Sequence, residues 1–177
     1  MRSRFVVMAV VCAVLLAGCT GHGASPEEMV SQNNFESLDG WLPVPPALTL
    51  ERAHSGRYAT KVDAGIEYGQ GYRTSLTTAG LAAGQQLVVS AWALRTAEQA
   101  NATLVVQLID PSTGRQVGWQ GLDIAEQIKT YNRWMFIDMH FQVPADAQPQ
   151  YELRVYPWRG KAAQPVYFDD IQIRRTH

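Results

Sequence analysis

Apolar and polar residues alternate along this chain in short runs, and clusters of Gly, Pro, Asp and Ser separate the runs. In 103–109, Leu104, Val106 and Leu108 alternate with Val105, Gln107 and Ile109, a two-residue period that sends one set to each face of a strand. In 87–94 the odd positions face one side while Val88, Trp92 and Leu94 take the other. Strands are expected on the same grounds at 48–53, 58–63, 68–75, 86–95, 103–109, 119–124, 133–143, 151–156 and 166–174. Turns fall at His54-Ser55-Gly56, Ala83-Gly84, Asp110-Pro111-Ser112-Thr113-Gly114 and Pro144-Ala145-Asp146, built from residues that favour turn geometry. So many strands do not form one stable open sheet in a chain of this size, and the expected fold is all-β, two antiparallel sheets packed as a sandwich. One brief helical turn is expected at 125–129. The stretch 41–46 carries three prolines, which confines it to an edge.

The last strand breaks its own period. Val166 and Phe168 lie on one parity and Ile171 and Ile173 on the other, so a regular strand cannot bury all four. A β-bulge at Asp169-Asp170 repairs the phase, bends the strand and re-aims the side chains beside it. If the two ends of the chain lie together, Asp169 meets Glu36. Carboxylates brought together in this way share a cation, here Ca²⁺ with its six to eight oxygen ligands, or else cap turns by accepting backbone N–H bonds.

The amino terminus changes the account of where folding begins. Met1-Arg2-Ser3-Arg4 is a short basic segment, 5–16 is apolar but too short to span comfortably as a membrane helix, and Leu16-Ala17-Gly18-Cys19 looks like a bacterial lipobox. That resemblance implies a signal peptide at 1–18, cleavage before Cys19, acylation of its thiol and amino group, and a membrane-anchored lipoprotein. Thr20 is not the Asp of the inner-membrane retention signal, so the outer membrane of the cell envelope is the expected location. Residues 19–32 read as lipidated Cys and flexible tether, and 33–177 as a single domain. Cys12 and Cys19 are the only cysteines, so no disulfide is expected in the mature domain. Loss of Arg2 and Arg4 leaves 13 basic against 16 acidic residues, a net charge of −3 that offers no footprint for nucleic acid.

Five motifs in order carry a family resemblance: Asn33-Asn34-Phe35-Glu36 with Gly40-Trp41; His54-Ser55-Gly56-Arg57-Tyr58-Ala59; Val89-Ser90-Ala91-Trp92; Asn132-Arg133-Trp134; and Phe168-Asp169-Asp170-Ile171. Together, over residues 33–174, the series resembles the cellulose- and xylan-binding carbohydrate-binding modules, whose fold is a galactose-binding-domain-like β-jelly roll. The resemblance implies a structural calcium held by Glu36, by a carbonyl or hydroxyl within Ser55-Gly56-Arg57, and by Asp169. It also implies that Trp92 and Trp134 are core residues, and Trp41 is expected to plug the base of the sandwich.

Sugar rings are gripped by aromatic faces with polar groups reading the hydroxyls, which makes the remaining aromatic and amide residues the candidates. Tyr72, Arg73, Gln107, Trp119, Gln120, Tyr156 and Trp158 are expected to line a groove. Catalysis is not expected. Asp169 and Asp170 are consecutive rather than set across a cleft, and His22, His54, His140 and His177 show no metal-ligand spacing. The expected function is that of a non-catalytic envelope lipoprotein binding carbohydrate. The alternative is a structural lipoprotein that binds an envelope protein.

Overall fold

A computed structural model describes residues 27–160 and 163–176, so the expected leader and Cys19 lie outside the described residues. The described residues form eleven strands: β1 (Glu27–Asn33), β2 (Trp41–Leu42), β3 (Leu48–Thr49), β4 (Ala59–Val62), β5 (Gly71–Ser75), β6 (Gln86–Arg95), β7 (Thr103–Ile109), β8 (Gln116–Asp123), β9 (Met135–Gln142), β10 (Glu152–Trp158) and β11 (Val166–Thr176). A single helical turn, α1 (Ile124–Gln127), follows β8, and Asp123 caps it by accepting from the Ala125 and Glu126 N–H groups. The first sheet runs β3-β4-β11-β6-β9, with β1 also paired to β11; the second runs β2-β5-β10-β7-β8. All the ladders are antiparallel, as a sandwich of hairpins and crossovers requires.

The alternation in the sequence decides which side chains fill the space between the sheets. Leu87, Val89, Ala91 and Ala93 of β6 share one core with Leu104, Val106 and Leu108 of β7 and with Leu153 and Val155 of β10. Strands β6 and β7 have the expected bounds. Each is a central strand nearly dry on both faces, so its apolar signal is strong at both ends.

The bulge in β11 is present. Pairing with β6 shifts register between Asp169 and Gln172, and Asp170 takes a left-handed φ of 47°, a conformation that Asp tolerates better than most residues. Val166, Phe168, Ile171 and Ile173 are all fully buried as a result. The same bend splits the far side of β11: its first half pairs with β4 and its second half with β1.

Several boundaries differ from expectation. Residues 27–32, read from sequence as tether, belong to a strand, because the second half of β11 offers Glu27–Asn33 a partner from Ile171 to Thr176. The expected strand at 68–75 begins at Gly71. Gln70 is fully buried and uses its side-chain amide to bond both the N–H (2.6 Å) and the carbonyl (2.9 Å) of Val44, in place of a backbone ladder. That clamp fixes the proline-bearing stretch beyond β2, which is an edge strand as its composition demanded. The strand expected at 48–53 stops at Thr49, whose hydroxyl accepts the Glu51 N–H and turns the chain.

Trp41 is buried against Phe35, edge to face at 6.0 Å, as a plug between the sheets. Trp92 lies on the opposite face of β6 from the core alanines Ala91 and Ala93, half-buried, with the His54 ring stacked on it at 4.0 Å. Trp134 packs edge-on to the same histidine. The core role expected for these two is corrected accordingly: they pack, but on the outer face of the first sheet.

Candidate functional site

Two places bring polar side chains together: the joint around the β11 bulge, and the outer face of the second sheet.

At the joint, Asx turns aim the first motif. The Asn33 side chain accepts the Phe35 N–H (2.5 Å) and Asn34 accepts the Glu36 N–H (3.3 Å), while Phe35, fully buried, takes a φ of 63°. Glu36 then reaches the loop before β4, where its Oε1 accepts the N–H groups of Arg57 (2.6 Å) and Tyr58 (2.8 Å). Gly56 is forced by this contact, since its φ is +58° and a Cβ there would stand 2.5 Å from Glu36 Oε1. Asp169, fully buried, accepts from the N–H groups of His54 (2.7 Å), Ser55 (3.0 Å) and Asp170 (2.8 Å). Asp170 takes the Ser55 hydroxyl and the His54 ring nitrogen, both at 2.6 Å.

Hydrogen bonds to the Arg57 and Tyr58 N–H groups hold the Glu36 carboxyl below the usual range, whereas burial pushes Asp169 up against the pull of its own N–H donors. The expected calcium set of Glu36, Ser55, Arg57 and Asp169 is thus gathered at one joint, but with amide hydrogens turned toward its carboxylates and the Ser55 hydroxyl donating to Asp170. Among the described residues no group of three or more His, Cys, Asp or Glu stands in metal-holding geometry. In this arrangement the carboxylates of Glu36 and Asp169 cap turns by accepting backbone N–H groups. A polar cleft of about 430 Å³ opens beside the joint, bordered by Asn33, Ser37, Asp39, Asp170 and Gln172, with no aromatic residue in its wall.

The outer face of the second sheet is set by register. Arg154 of β10 lies opposite Arg73 of β5 and Gln107 of β7, and Gln107 lies opposite Trp119 of β8, so these four form one row across four strands. Tyr156 occupies the next position along β10, opposite Val105, which in turn faces Gly121. Beyond it come Trp158 and, bridged to it, Tyr68. The rings of Tyr68 and Tyr156 meet edge to face at 5.8 Å. A second cleft of about 430 Å³, within the range of small-ligand sites, runs over this face and is lined by Leu42, Tyr68, Arg73, Gln107, Arg154 and Tyr156 among others.

The polar groups in this cleft are held in place. Tyr156 donates to Gln107 Oε1 (3.2 Å), and Gln107 donates onward to Gln116 (2.7 Å). Glu152 accepts Nε of Arg73 and Nε of Arg154, one on each carboxylate oxygen and both at 2.5 Å. Burial works to raise the Glu152 carboxyl, but the two guanidiniums outweigh it and keep the group below the usual range. Trp119 is 49% exposed and its indole lies down over Gly121, where any Cβ would come within 2.5 Å of the ring. The absence of a side chain at Gly121 is therefore what makes room for the edge of the indole, which stays half-exposed.

Of the seven residues expected to line a groove, Arg73, Gln107, Trp119, Tyr156 and Trp158 come together here. Tyr72 contributes to the wall, but its ring turns inward onto Trp41 at 5.6 Å, and burial pushes its phenol up. Gln120 lies opposite Val106, a core residue, and so projects from the other face of edge strand β8. Glu152, Arg154 and Tyr68 were missed. The first two share the two-residue period of Tyr156 and Trp158 and could have been read from it, whereas Tyr68 reaches the face only through its bridge to Trp158.

No family model matches the chain and no curated protein matches it. Solved structures do. The CBM22-1 xylan-binding domain of Paenibacillus barcinonensis Xyn10C matches with a TM-score of 0.56 at 18% identity, over 86% of this chain and 97% of that one. The C-terminal family 22 carbohydrate binding module of Clostridium thermocellum Xyn10B gives 0.59 at 18% identity, over 82% and 91%. A family 16 carbohydrate binding module gives 0.52, also at 18% identity, over 77% and 91%. The domain has the β-sandwich fold of carbohydrate-binding modules.

Proposed function

We propose that this protein is a non-catalytic saccharide-binding module, and that the outer face of its second sheet holds the glycan. One observation carries the reading: a half-exposed indole over Gly121, an edge-to-face tyrosine pair, and a row of guanidinium and amide groups all meet on one sheet face. Stacked rings recognise the apolar faces of sugars, and oriented amides and guanidiniums read hydroxyls. The fold shared with xylan-binding modules supports the reading. The carboxylates near these sites are engaged, Glu152 by two guanidiniums and Asp169 by three N–H groups, which supports binding without hydrolysis.

The protein is carried on the envelope by a lipid on Cys19, with the outer membrane as its location, and meets the membrane through that anchor alone. A glycan array probed with the protein, followed by calorimetry on each hit, tests the function. Saturable binding to at least one polysaccharide class is expected, and a blank across the array would remove the saccharide reading. A second reading, an envelope protein as partner, is favoured by Phe136, 53% exposed beside Trp92 on the outer face of the first sheet. A partner captured by pull-down and released on Phe136→Ser would support it.

A further inference from the structure

The row that crosses the second sheet holds more positive charge than a neutral sugar needs. Arg73 and Arg154 stand directly opposite one another on paired strands, an arrangement that like charges make unfavourable. Glu152 relieves it from the neighbouring position on β10, taking one Nε from each guanidinium. One carboxylate against two guanidiniums leaves a formal charge of +1 in this cluster, on a chain whose net charge is −1. Neither Arg73 nor Arg154 has a hydrogen-bond partner for its terminal Nη nitrogens among the described residues. Their side chains are 49% and 36% exposed, whereas that of Glu152 is 14% exposed. The carboxylate thus lies beneath, fixing the stems, while the planar donor edges remain available above it.

Covering an uncompensated guanidinium with a neutral ring removes its hydration without replacing the lost counter-charge. A carboxylate presented to that edge replaces it, and a guanidinium can grip a carboxylate through two parallel N–H bonds. An aromatic group stands where such a ligand would need one. Tyr156 is the next residue along the face of β10, so a ring stacked on it lies beside Arg154, which is paired across the ladder with Arg73, while Trp119 ends the same row two strands from Arg154. A further acid, Glu67, is engaged elsewhere, accepting from Trp158 Nε1 at 3.3 Å.

We infer that the groove is built for an acidic glycan, one carrying uronic acid carboxylates, with Arg154 and Arg73 as the groups that read the charge. The inference rests on the saccharide reading of this face. It is tested by calorimetry of the full chain against matched pairs: glucuronoxylan oligosaccharide, oligogalacturonate and oligoalginate, each beside its carboxyl-reduced counterpart. At least one acidic member is expected to bind on the order of ten-fold more tightly than its reduced form at low salt, and the gap is expected to narrow as salt screens it. Arg154→Gln is expected to bring the two affinities within about two-fold of one another. Arg73→Gln, at the more exposed position, provides the same test should the first variant not fold.

Equal affinity of the wild-type protein for acidic and reduced members would overturn the inference and leave saccharide binding standing. Failure to bind any member of either kind would remove both. A preference for the acidic form that survives both arginine substitutions would remove these residues from the assignment.

Discussion

Replacing Trp119 with alanine is expected to weaken glycan binding by ten-fold or more while leaving the melting temperature within about 2 °C of wild type. With no Cβ at Gly121, the indole edge packs over the glycine and about half of the side chain stays exposed, where a sugar ring can cover it. Covering a large aromatic surface is worth roughly 1.5–3 kcal/mol, which corresponds to about one to two decades of affinity. The folded state, by contrast, gains little from an indole that is 49% exposed on an edge strand, so removing it leaves the sandwich intact. Calorimetry on an array hit, paired with a thermal melt of the same sample, separates the two effects. Unaltered affinity would take Trp119 out of the site.

Asp169→Ala is expected to cause the largest loss of stability. The carboxylate is fully buried and is the acceptor for the N–H groups of His54, Ser55 and Asp170. Removing it strands three donors at the place where the bulge, the loop before β4 and the first motif meet. Each buried unsatisfied donor costs on the order of 1–3 kcal/mol, and partial access of water to the loop brings the expected total to about 4 kcal/mol. For a domain of this size that lowers the melting temperature by on the order of 12 °C. Asp169→Asn keeps one oxygen for His54 and Ser55 but turns an NH₂ group toward the Asp170 N–H, and is expected to lose about half as much. A drop of only a few degrees in the alanine variant would mean that the joint is not organised around this carboxylate. The same melts repeated with a chelator report on calcium. The amide-capped arrangement is expected to melt unchanged, while a calcium-dependent rise of several degrees would mean that an ion displaces the N–H donors.

The sequence exposed the fold where burial leaves a period and concealed it where pairing alone decides. Strands β6 and β7 could be read to the residue because both their faces are apolar. The bulge could be read because Phe168 and Ile171 cannot share a face without it. Strand β1 could not: Glu27–Asn33 is mostly polar, and it is a strand because the far half of β11 needs an antiparallel partner.

The groove divided in the same way. Aromatic and amide residues in sequence named Trp119, Tyr156, Trp158 and Gln107, but register alone puts Arg73, Arg154, Gln107 and Trp119 in one row. A shift of one position reverses the face, so strands placed only approximately put Tyr72 and Gln120 in the groove, whereas register turns both to the other face. Glu152 and Arg154 were passed over because charged residues on a strand read as solvated until a partner across the ladder gives them a task.

The central claim is that the outer face of the second sheet binds sugar. Backbone and indole amide shifts of the labelled protein, followed while an array hit is titrated in, address it residue by residue. Shifts are expected at Arg73, Gln107, Arg154, Tyr156 and the Trp119 indole N–H, with Trp92 and Phe136 on the opposite sheet unmoved. Shifts gathered around Trp92, Phe136 and His54, with the row across β5, β10, β7 and β8 silent, would contradict it.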